Sequence, residues 1–201
     1  METSVAKALF HSYTYPEYRK IVTDLLKDGK SSGNEQSEDL LNYSNLNETR
    51  MNRLDKTMLL TDEVKKELHN IKREYIWLVI SEGWCGDAAQ VLPIINKMAE
   101  EAGKIELKIV FRDENDDLMK HFLTNGRRGV PKLIVVDRES GGVIGNWGDR
   151  PRGAVEVIEN YKAKHGAVDQ KAKEELQMWY LNDKGVSTQN EIVNLMLDIE
   201  D

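Results

Sequence analysis

The single cysteine of the chain, Cys85, lies where a thiol could act as a nucleophile. The apolar run Tyr75–Ile80 precedes it and indicates a buried strand, and the spacing of apolar residues after it indicates an amphipathic helix. The N-terminus of a helix carries about half a positive charge and unpaired N–H groups, which stabilise a thiolate. This placement favours sulfur chemistry. The alternative is that Cys85 is a small buried apolar residue, as most lone cysteines are.

The elements that must position this cysteine follow from the apolar pattern. After Glu74 the chain predicts the order strand–helix–strand–helix–strand–strand–helix, ending near residue 165. The first strand–helix–strand unit requires a parallel pair, and the Gly141-Gly142 turn requires an antiparallel hairpin. The expected strands are Tyr75–Ile80, Ile105–Phe111, Lys132–Val136 and Val143–Trp147. The sequence therefore predicts an α/β fold with a mixed four-stranded sheet flanked by helices.

Helical patterns extend this core at both ends of the chain. Residues 1–72 are expected to form a helical N-terminal extension packed on a core at 73–166, and residues 167–201 a C-terminal helical extension. In the last predicted helix, Thr188 and Glu191 have the spacing of a capping box, which places the helix start at Thr188.

The segment around Cys85, LVISEGWCGDAAQVLPIINKM, resembles the active-site strand and helix of the thioredoxin superfamily. Trp84 and Gly86 match that family, and Pro93 lies where thioredoxins kink this helix. The segment Arg128–Pro131, which precedes a predicted strand, resembles the family's cis-proline loop. The flanking helices resemble those of a bacterial thioredoxin-like family with extended N- and C-terminal regions. The resemblance implies a thioredoxin-like fold with helical extensions at both termini.

The departures from the family motif W-C-G-P-C concern the groups that complete its chemistry. Asp87 replaces the proline, and Ala88 replaces the second cysteine. Thioredoxins also place a buried acid six residues before the first cysteine, and this chain has Val79 there. These absences remove the groups that release a mixed disulfide internally. Dithiol reduction by the thioredoxin route is therefore not available to this chain alone.

The acidity of the thiol depends on Asp87, which is expected in the first turn of the helix. Its carboxylate could simply complement the helix dipole, or it could oppose the thiolate and raise the pKa of Cys85. Glu82 would add to the negative charge, and Arg127 and Arg128 would offset it. We predict a pKa near the ordinary cysteine value of about 8.5, above that of a typical thioredoxin.

The resemblance also implies a substrate groove beside the thiol. Pro131 would be cis, and the backbone of Val130 would pair with an extended chain, as a strand adds to the edge of a sheet. The alternatives are a plain turn at Pro131 and core burial of Trp84. Trp147–Pro151 is predicted as a strand-to-helix connector, with a second rim of the groove as the alternative. The expected substrate-binding residues are Trp84, Gly86, Asp87, Val130 and Pro131.

Several classes of function are disfavoured by composition and spacing. The four histidines have no ligand spacing among themselves or to Cys85, so neither a metal nor another cofactor is expected. The net charge of −7 disfavours a nucleic-acid partner. No apolar stretch reaches the roughly 20 residues that span a bilayer, which disfavours a membrane role. The N-terminus lacks signal-peptide features and one cysteine cannot form an internal disulfide, so a cytoplasmic location is expected.

Two functions remain. The first is a monothiol thiol-disulfide oxidoreductase, in which Cys85 attacks a disulfide-containing or S-thiolated protein. The mixed disulfide is then resolved by an external thiol, such as a low-molecular-weight thiol, or by a partner protein. The second is a non-catalytic thioredoxin-like module that binds a protein or peptide beside Pro131. The position of Trp84-Cys85-Gly86 at a helix start favours the first. The missing second cysteine and the missing buried acid favour the second. Of the two, the sequence favours the monothiol oxidoreductase.

Overall fold

A computed structural model of the chain describes residues 1–200, and its centre is a mixed four-stranded sheet. The strands are β1 (Tyr75–Ser81), β2 (Ile105–Phe111), β3 (Lys132–Asp137) and β4 (Val143–Gly148). They lie in the order β2-β1-β3-β4, with β1 parallel to β2 and antiparallel to β3, and β3 antiparallel to β4. The predicted α/β class with a mixed four-stranded sheet is confirmed.

Nine α-helices in the described part of the chain surround this sheet. Their bounds are α1 (Glu2–Phe10), α2 (Tyr15–Lys27), α3 (Glu38–Thr57), α4 (Asp62–His69), α5 (Gly86–Ala102), α6 (Asp116–Met119), α7 (Arg152–His165), α8 (Gln170–Asp183) and α9 (Val186–Glu200). Of the helices in residues 1–200, none is both long and apolar enough to cross a membrane.

Both extensions contribute to the same hydrophobic core as the sheet. Tyr18 of α2 and Leu68 of α4 are fully buried beside β-strand residues such as Trp77, and Ile192 of α9 is buried with them. The apolar faces predicted for these helices are thus covered by the sheet and by α5. The division at 72/73 and 166/167 stays a prediction.

The start of α9 differs from the sequence prediction. The helix begins at Val186, so the predicted capping box at Thr188 and Glu191 is wrong. Asp183 at the end of α8 accepts a hydrogen bond from the backbone N–H of Ser187, and Gly185 makes the turn at a φ of 78°. The tight turn between α8 and α9 therefore overrides the local capping pattern and leaves Thr188 buried inside the helix.

Candidate functional site

Cys85 caps the N-terminus of α5 and is 8% exposed. Its Sγ donates a hydrogen bond to the carbonyl oxygen of Val130 at 3.1 Å and accepts one from the N–H of Ala88 at 3.5 Å. The Val130–Pro131 peptide bond is cis. The fold therefore brings the W-C-G segment and the proline loop together, although 45 residues separate Cys85 from Val130.

A cavity of about 790 Å³ opens above this thiol. Of the predicted site residues, Trp84, Cys85, Gly86, Asp87 and Val130 line it, whereas Pro131 does not. Helix α3 of the N-terminal extension and α8 of the C-terminal extension supply the walls. The wall side chains include Leu40, Tyr43, Leu46, Arg50, Leu176, Gln177, Met178 and Leu181. Both extensions thus shape the site, which a thioredoxin core alone would leave open on these sides.

Asp87 is buried and neutralised by a neighbour that the sequence did not suggest. Its carboxylate pairs with the guanidinium of Arg150 at 2.8 Å and accepts a hydrogen bond from the hydroxyl of Tyr180 at 2.9 Å. Burial alone would lower the pKa of Arg150, but the contact with Asp87 outweighs it and raises that pKa. The connector Trp147–Pro151 therefore does more than join a strand to a helix.

The expected offset of Asp87 by Arg127 and Arg128 is wrong. The guanidinium of Arg128 pairs instead with the carboxylates of Asp113 and Asp116. Arg127 lies in a turn, where its backbone N–H donates to the carbonyl of Thr124. Arg127 and Arg128 precede Val130 in the sequence, which suggests a position near Asp87. In the structure, Arg128 instead contacts the segment that follows β2.

The thiol of Cys85 is much less acidic than an ordinary cysteine. Burial raises its pKa to about 12, and the negative charge of Asp87 contributes in the same direction. The N–H of Ala88 and the charge of Arg150 lower the pKa, but by less. The predicted effect of Asp87 on the pKa of Cys85 has the correct direction. The predicted pKa of about 8.5 is too low because the sequence does not show how deeply the fold buries the thiol.

A second buried carboxylate near Cys85 in the sequence is that of Glu82. It is 0% exposed, and it accepts hydrogen bonds from the hydroxyl of Ser32 and from the N–H of Asp113. Burial raises the pKa of Glu82. The sequence indicates the loss of a buried acid at Val79, whereas the burial of Glu82, three residues before Cys85, is found only in the structure. Its position between a buried strand and Trp84 was the available signal.

The loop that carries Ser32 packs closely against the carboxylates of Glu82 and Asp113. Gly33 has a φ of 84°, and a Cβ there would lie 2.7 Å from the carboxylate Oδ2 of Asp113. Only glycine meets both requirements at this position. The close contact fixes the entry of α3 toward the cavity.

Trp84 forms part of the rim, as expected, and is half-buried. The guanidinium of Arg112 lies 4.8 Å from the centre of its ring, a cation–π contact that holds the indole in place. Among residues 1–200 there is no group of three His, Cys, Asp or Glu side chains that could hold a metal ion.

The sheet order, the cis-proline before β3 and the cysteine at the start of α5 together define a thioredoxin fold. The sequence model of the family described as thioredoxin matches residues 33–163, which is more than half of the chain. The chain belongs to this family. No curated protein matches the chain.

Two solved structures share the fold. A protein of unknown function from Pseudomonas aeruginosa, known from a 1.5 Å crystal structure, is 18% identical, with a TM-score of 0.55 over 92% of this chain and 97% of that chain. A crystal structure of an HIV epitope-scaffold is 17% identical, with a TM-score of 0.56 over 92% of this chain and 99% of that chain. At these identities the likeness concerns the fold alone. Its coverage extends beyond residues 33–163.

Proposed function

We propose that this protein is a non-catalytic binding module of thioredoxin fold, which holds a protein or peptide in the cavity above Cys85. The observation that carries the proposal is the buried pair of Asp87 and Arg150 beside a thiol whose pKa is raised to about 12. The thiolate is the nucleophile in disulfide exchange. With such a pKa, only about one thiol in 10⁵ is ionised at pH 7. Cys85 therefore lines the binding cavity and does not act as a nucleophile.

The cavity has the properties of a binding site. Its volume of about 790 Å³ is within the usual range of ligand pockets. The walls carry apolar side chains from α3 and α8, and charged side chains such as Arg112, Arg128 and Arg150 also line the cavity. Apolar walls supply most of the binding free energy, and a few fixed polar groups orient what binds.

A monothiol thiol-disulfide oxidoreductase is the second candidate, favoured by the position of Cys85 on the cavity surface beside Trp84 and Gly86. The Cys85 thiolate would attack one sulfur of a disulfide, form a mixed disulfide and release the other sulfur as a thiolate. An external thiol would then attack the mixed disulfide and regenerate Cys85. Asp87 opposes this route because it disfavours the thiolate on which the first step depends.

The pH dependence of Cys85 alkylation separates the two candidates. We expect the rate with iodoacetamide, followed by intact-protein mass spectrometry, to rise steadily from pH 7 to pH 10 without a plateau. At pH 8 it should be about a thousandfold below that of a cysteine in an unstructured peptide. A plateau below pH 8.5, or rapid formation of adducts with small-molecule disulfides at pH 7, would favour the monothiol oxidoreductase.

The binding proposal itself is tested by comparing wild type with Cys85→Ser. A partner captured from cell extract, once purified, should bind both with the same Kd, and reductant should not release it. Met178→Glu places a charge in the α8 wall, where the side chain is exposed, and should weaken binding. Phe10→Glu, at an exposed position on α1, is the control and should not. Binding that requires Cys85 and is reversed by reductant would contradict the module proposal.

A further inference from the structure

A second cavity, of about 450 Å³, adjoins the one above Cys85. It lies between the end of α3, α5 and the turn that joins α8 to α9, and its floor includes Met58, Leu60 and Ile94. Leu181 lines both cavities. The two therefore form a continuous surface along α8.

The apolar side chains around the second cavity are unusually exposed. Leu59 is 79% exposed, Leu181 is 50% exposed and Val186 is 39% exposed. Met178, one turn before Leu181 on α8, is 56% exposed. A cluster of exposed large apolar side chains beside a cavity is typical of an interaction surface, whereas scattered ones are ordinary.

The charged side chains that line the second cavity are all positive. Of the described residues, no Asp or Glu lines the second cavity, while Arg53 and Lys184 do. Arg50, one turn before Arg53 on α3, lines the first cavity. Burial lowers the pKa of Arg50, the positive charge of Arg53 lowers it further, and the negative charge of Asp87 acts in the opposite direction. The electrostatic repulsion between Arg50 and Arg53 would be relieved by an acidic partner.

Direct salt bridges do not neutralise these cations. Within residues 1–200, no carboxylate lies within salt-bridge distance of Arg50, Arg53 or Lys184, although most other arginines near the site are paired. The chain as a whole has a net charge of −7. A positive patch attracts acidic partners, whereas the net negative charge of the chain disfavours its association with further copies of itself.

We propose that this surface binds an acidic amphipathic segment of a partner protein. We call it the Leu181 groove and define it by Arg50, Arg53, Leu59, Leu181 and Lys184. Apolar side chains of the segment enter the second cavity, and its carboxylates face Arg53 and Lys184. The inference rests on the proposed function only in that the protein binds other proteins. It assigns the chemistry of the partner to residues that do not touch the thiol.

Fluorescence anisotropy with designed peptides tests the groove. The probe is a labelled helical peptide of about 16 residues. Its leucines have the spacing i, i+3, i+4 and i+7, which places them on one face of the helix, and most other positions are glutamate. Its matched control has lysine in place of every glutamate. The glutamate peptide should bind wild type at least about tenfold more tightly than the lysine peptide, and added salt should reduce the difference.

Protein variants locate the binding. Arg53→Glu combined with Lys184→Glu should weaken the glutamate peptide about tenfold or more, and so should Leu181→Asp. All three residues are exposed, and unfolding midpoints close to that of wild type would verify folding. Lys7→Glu combined with Lys162→Glu changes the net charge equally at exposed positions outside both cavities, and should leave the affinity unchanged.

Four outcomes would overturn the inference. The first is equal affinity of wild type for the two peptides, and the second is an equal loss of affinity in the control double variant. The third is binding of wild type to anionic vesicles but not to the glutamate peptide. The fourth is a wild-type dimer that becomes monomeric when Arg53→Glu and Lys184→Glu are combined. Cys85→Ser should bind the peptide as wild type does. If the glutamate peptide does not bind but a partner still binds the cavity above Cys85, only this inference is contradicted. If the peptide binds and Met178→Glu does not change the affinity of a captured partner, only the proposed function is contradicted.

Discussion

Two buried carboxylates flank the single thiol, and their surroundings satisfy them in opposite ways. Glu82 receives hydrogen bonds from a hydroxyl and a backbone N–H, and burial raises its pKa. Asp87 pairs directly with the guanidinium of Arg150 and accepts a hydrogen bond from Tyr180. Burial thus disfavours the charged form of Glu82, which has no salt-bridge partner among residues 1–200, whereas Asp87 is paired with the guanidinium of Arg150.

The comparison explains how the two extensions attach to the thioredoxin core. Ser32, which binds Glu82, lies in the loop between α2 and α3, and Tyr180, which binds Asp87, lies on α8. Each carboxylate therefore ties one extension to the segment around Cys85. The tether through Asp87 depends on charge and also suppresses the thiolate. The tether through Glu82 depends on hydrogen bonds from uncharged donors, the hydroxyl of Ser32 and the backbone N–H of Asp113.

The largest effect is expected from Asp87→Ala, because it leaves the guanidinium of Arg150 buried without its partner. Removing one member of a buried ion pair costs about 3–5 kcal/mol. Urea unfolding should show a loss of this size. The double variant Asp87→Ala with Arg150→Met should be more stable than Asp87→Ala alone, since no unpaired charge remains.

The same variants test the effect of Asp87 on the thiol. Asp87→Ala should speed alkylation of Cys85 at pH 8, because its charge raises the pKa of the thiol. Additive losses of stability in the double variant would contradict the ion-pair assignment. An unchanged alkylation rate would contradict the electrostatic one.

Most of the fold could be predicted because it depends on local patterns. The continuous apolar run that became β1 indicated a strand buried on both faces, and the paired glycines at 141 and 142 indicated the β3–β4 hairpin. The Cys85 segment was recognisable because the helix start and Pro93 follow it at fixed spacing. The capping-box prediction at Thr188 failed because the α8–α9 turn, and not the local pattern, determines where α9 begins.

The environment of the site could not be predicted, because it depends on contacts far apart in the sequence. Tyr180 and Asp87 are 93 residues apart, and Ser32 and Glu82 are 50 residues apart. Nothing in the sequence near Asp87 distinguishes Arg150 from Arg127 or Arg128 as its partner. The burial that dominates the pKa of Cys85 comes from the packing of complete helices, which a motif does not encode.

Ser32→Ala should have the second-largest effect. The Ser32 hydroxyl donates to Glu82 and accepts from the N–H of Gly83 at 2.8 Å, so its loss leaves two buried groups each short of a partner. A loss of about 1–3 kcal/mol in urea unfolding is expected. Ser31→Ala is the matched control, since that neighbouring serine is also buried but its hydroxyl contacts are long, at 3.5 Å. Equal losses for the two serines would indicate general packing and not the tether to Glu82.

The smallest effect, and the sharpest test of the comparison, is the pH dependence of Glu82→Gln. Burial raises the folded-state pKa of Glu82 above its unfolded value of about 4.3. The folded protein therefore binds more protons than the unfolded chain between these two pKa values, and this group stabilises the fold fully below pH 4.3. That contribution is lost as the pH rises through the folded pKa.

Glu82→Gln removes this titration while it keeps a side chain of the same size. The unfolding free energy of wild type minus that of Glu82→Gln should therefore increase as the pH falls from 8 to 5, measured by urea unfolding at each pH. Carboxylates distant from Glu82 titrate equally in both proteins, so the difference reports Glu82 together with Asp113, whose charge is coupled to it. Hydrogen bonds from Ser32 and Asp113 lower the pKa and limit the size of the change. A difference that decreases with falling pH would mean that Glu82, like Asp87, is held as a charged group, and the contrast between the two carboxylates would be lost.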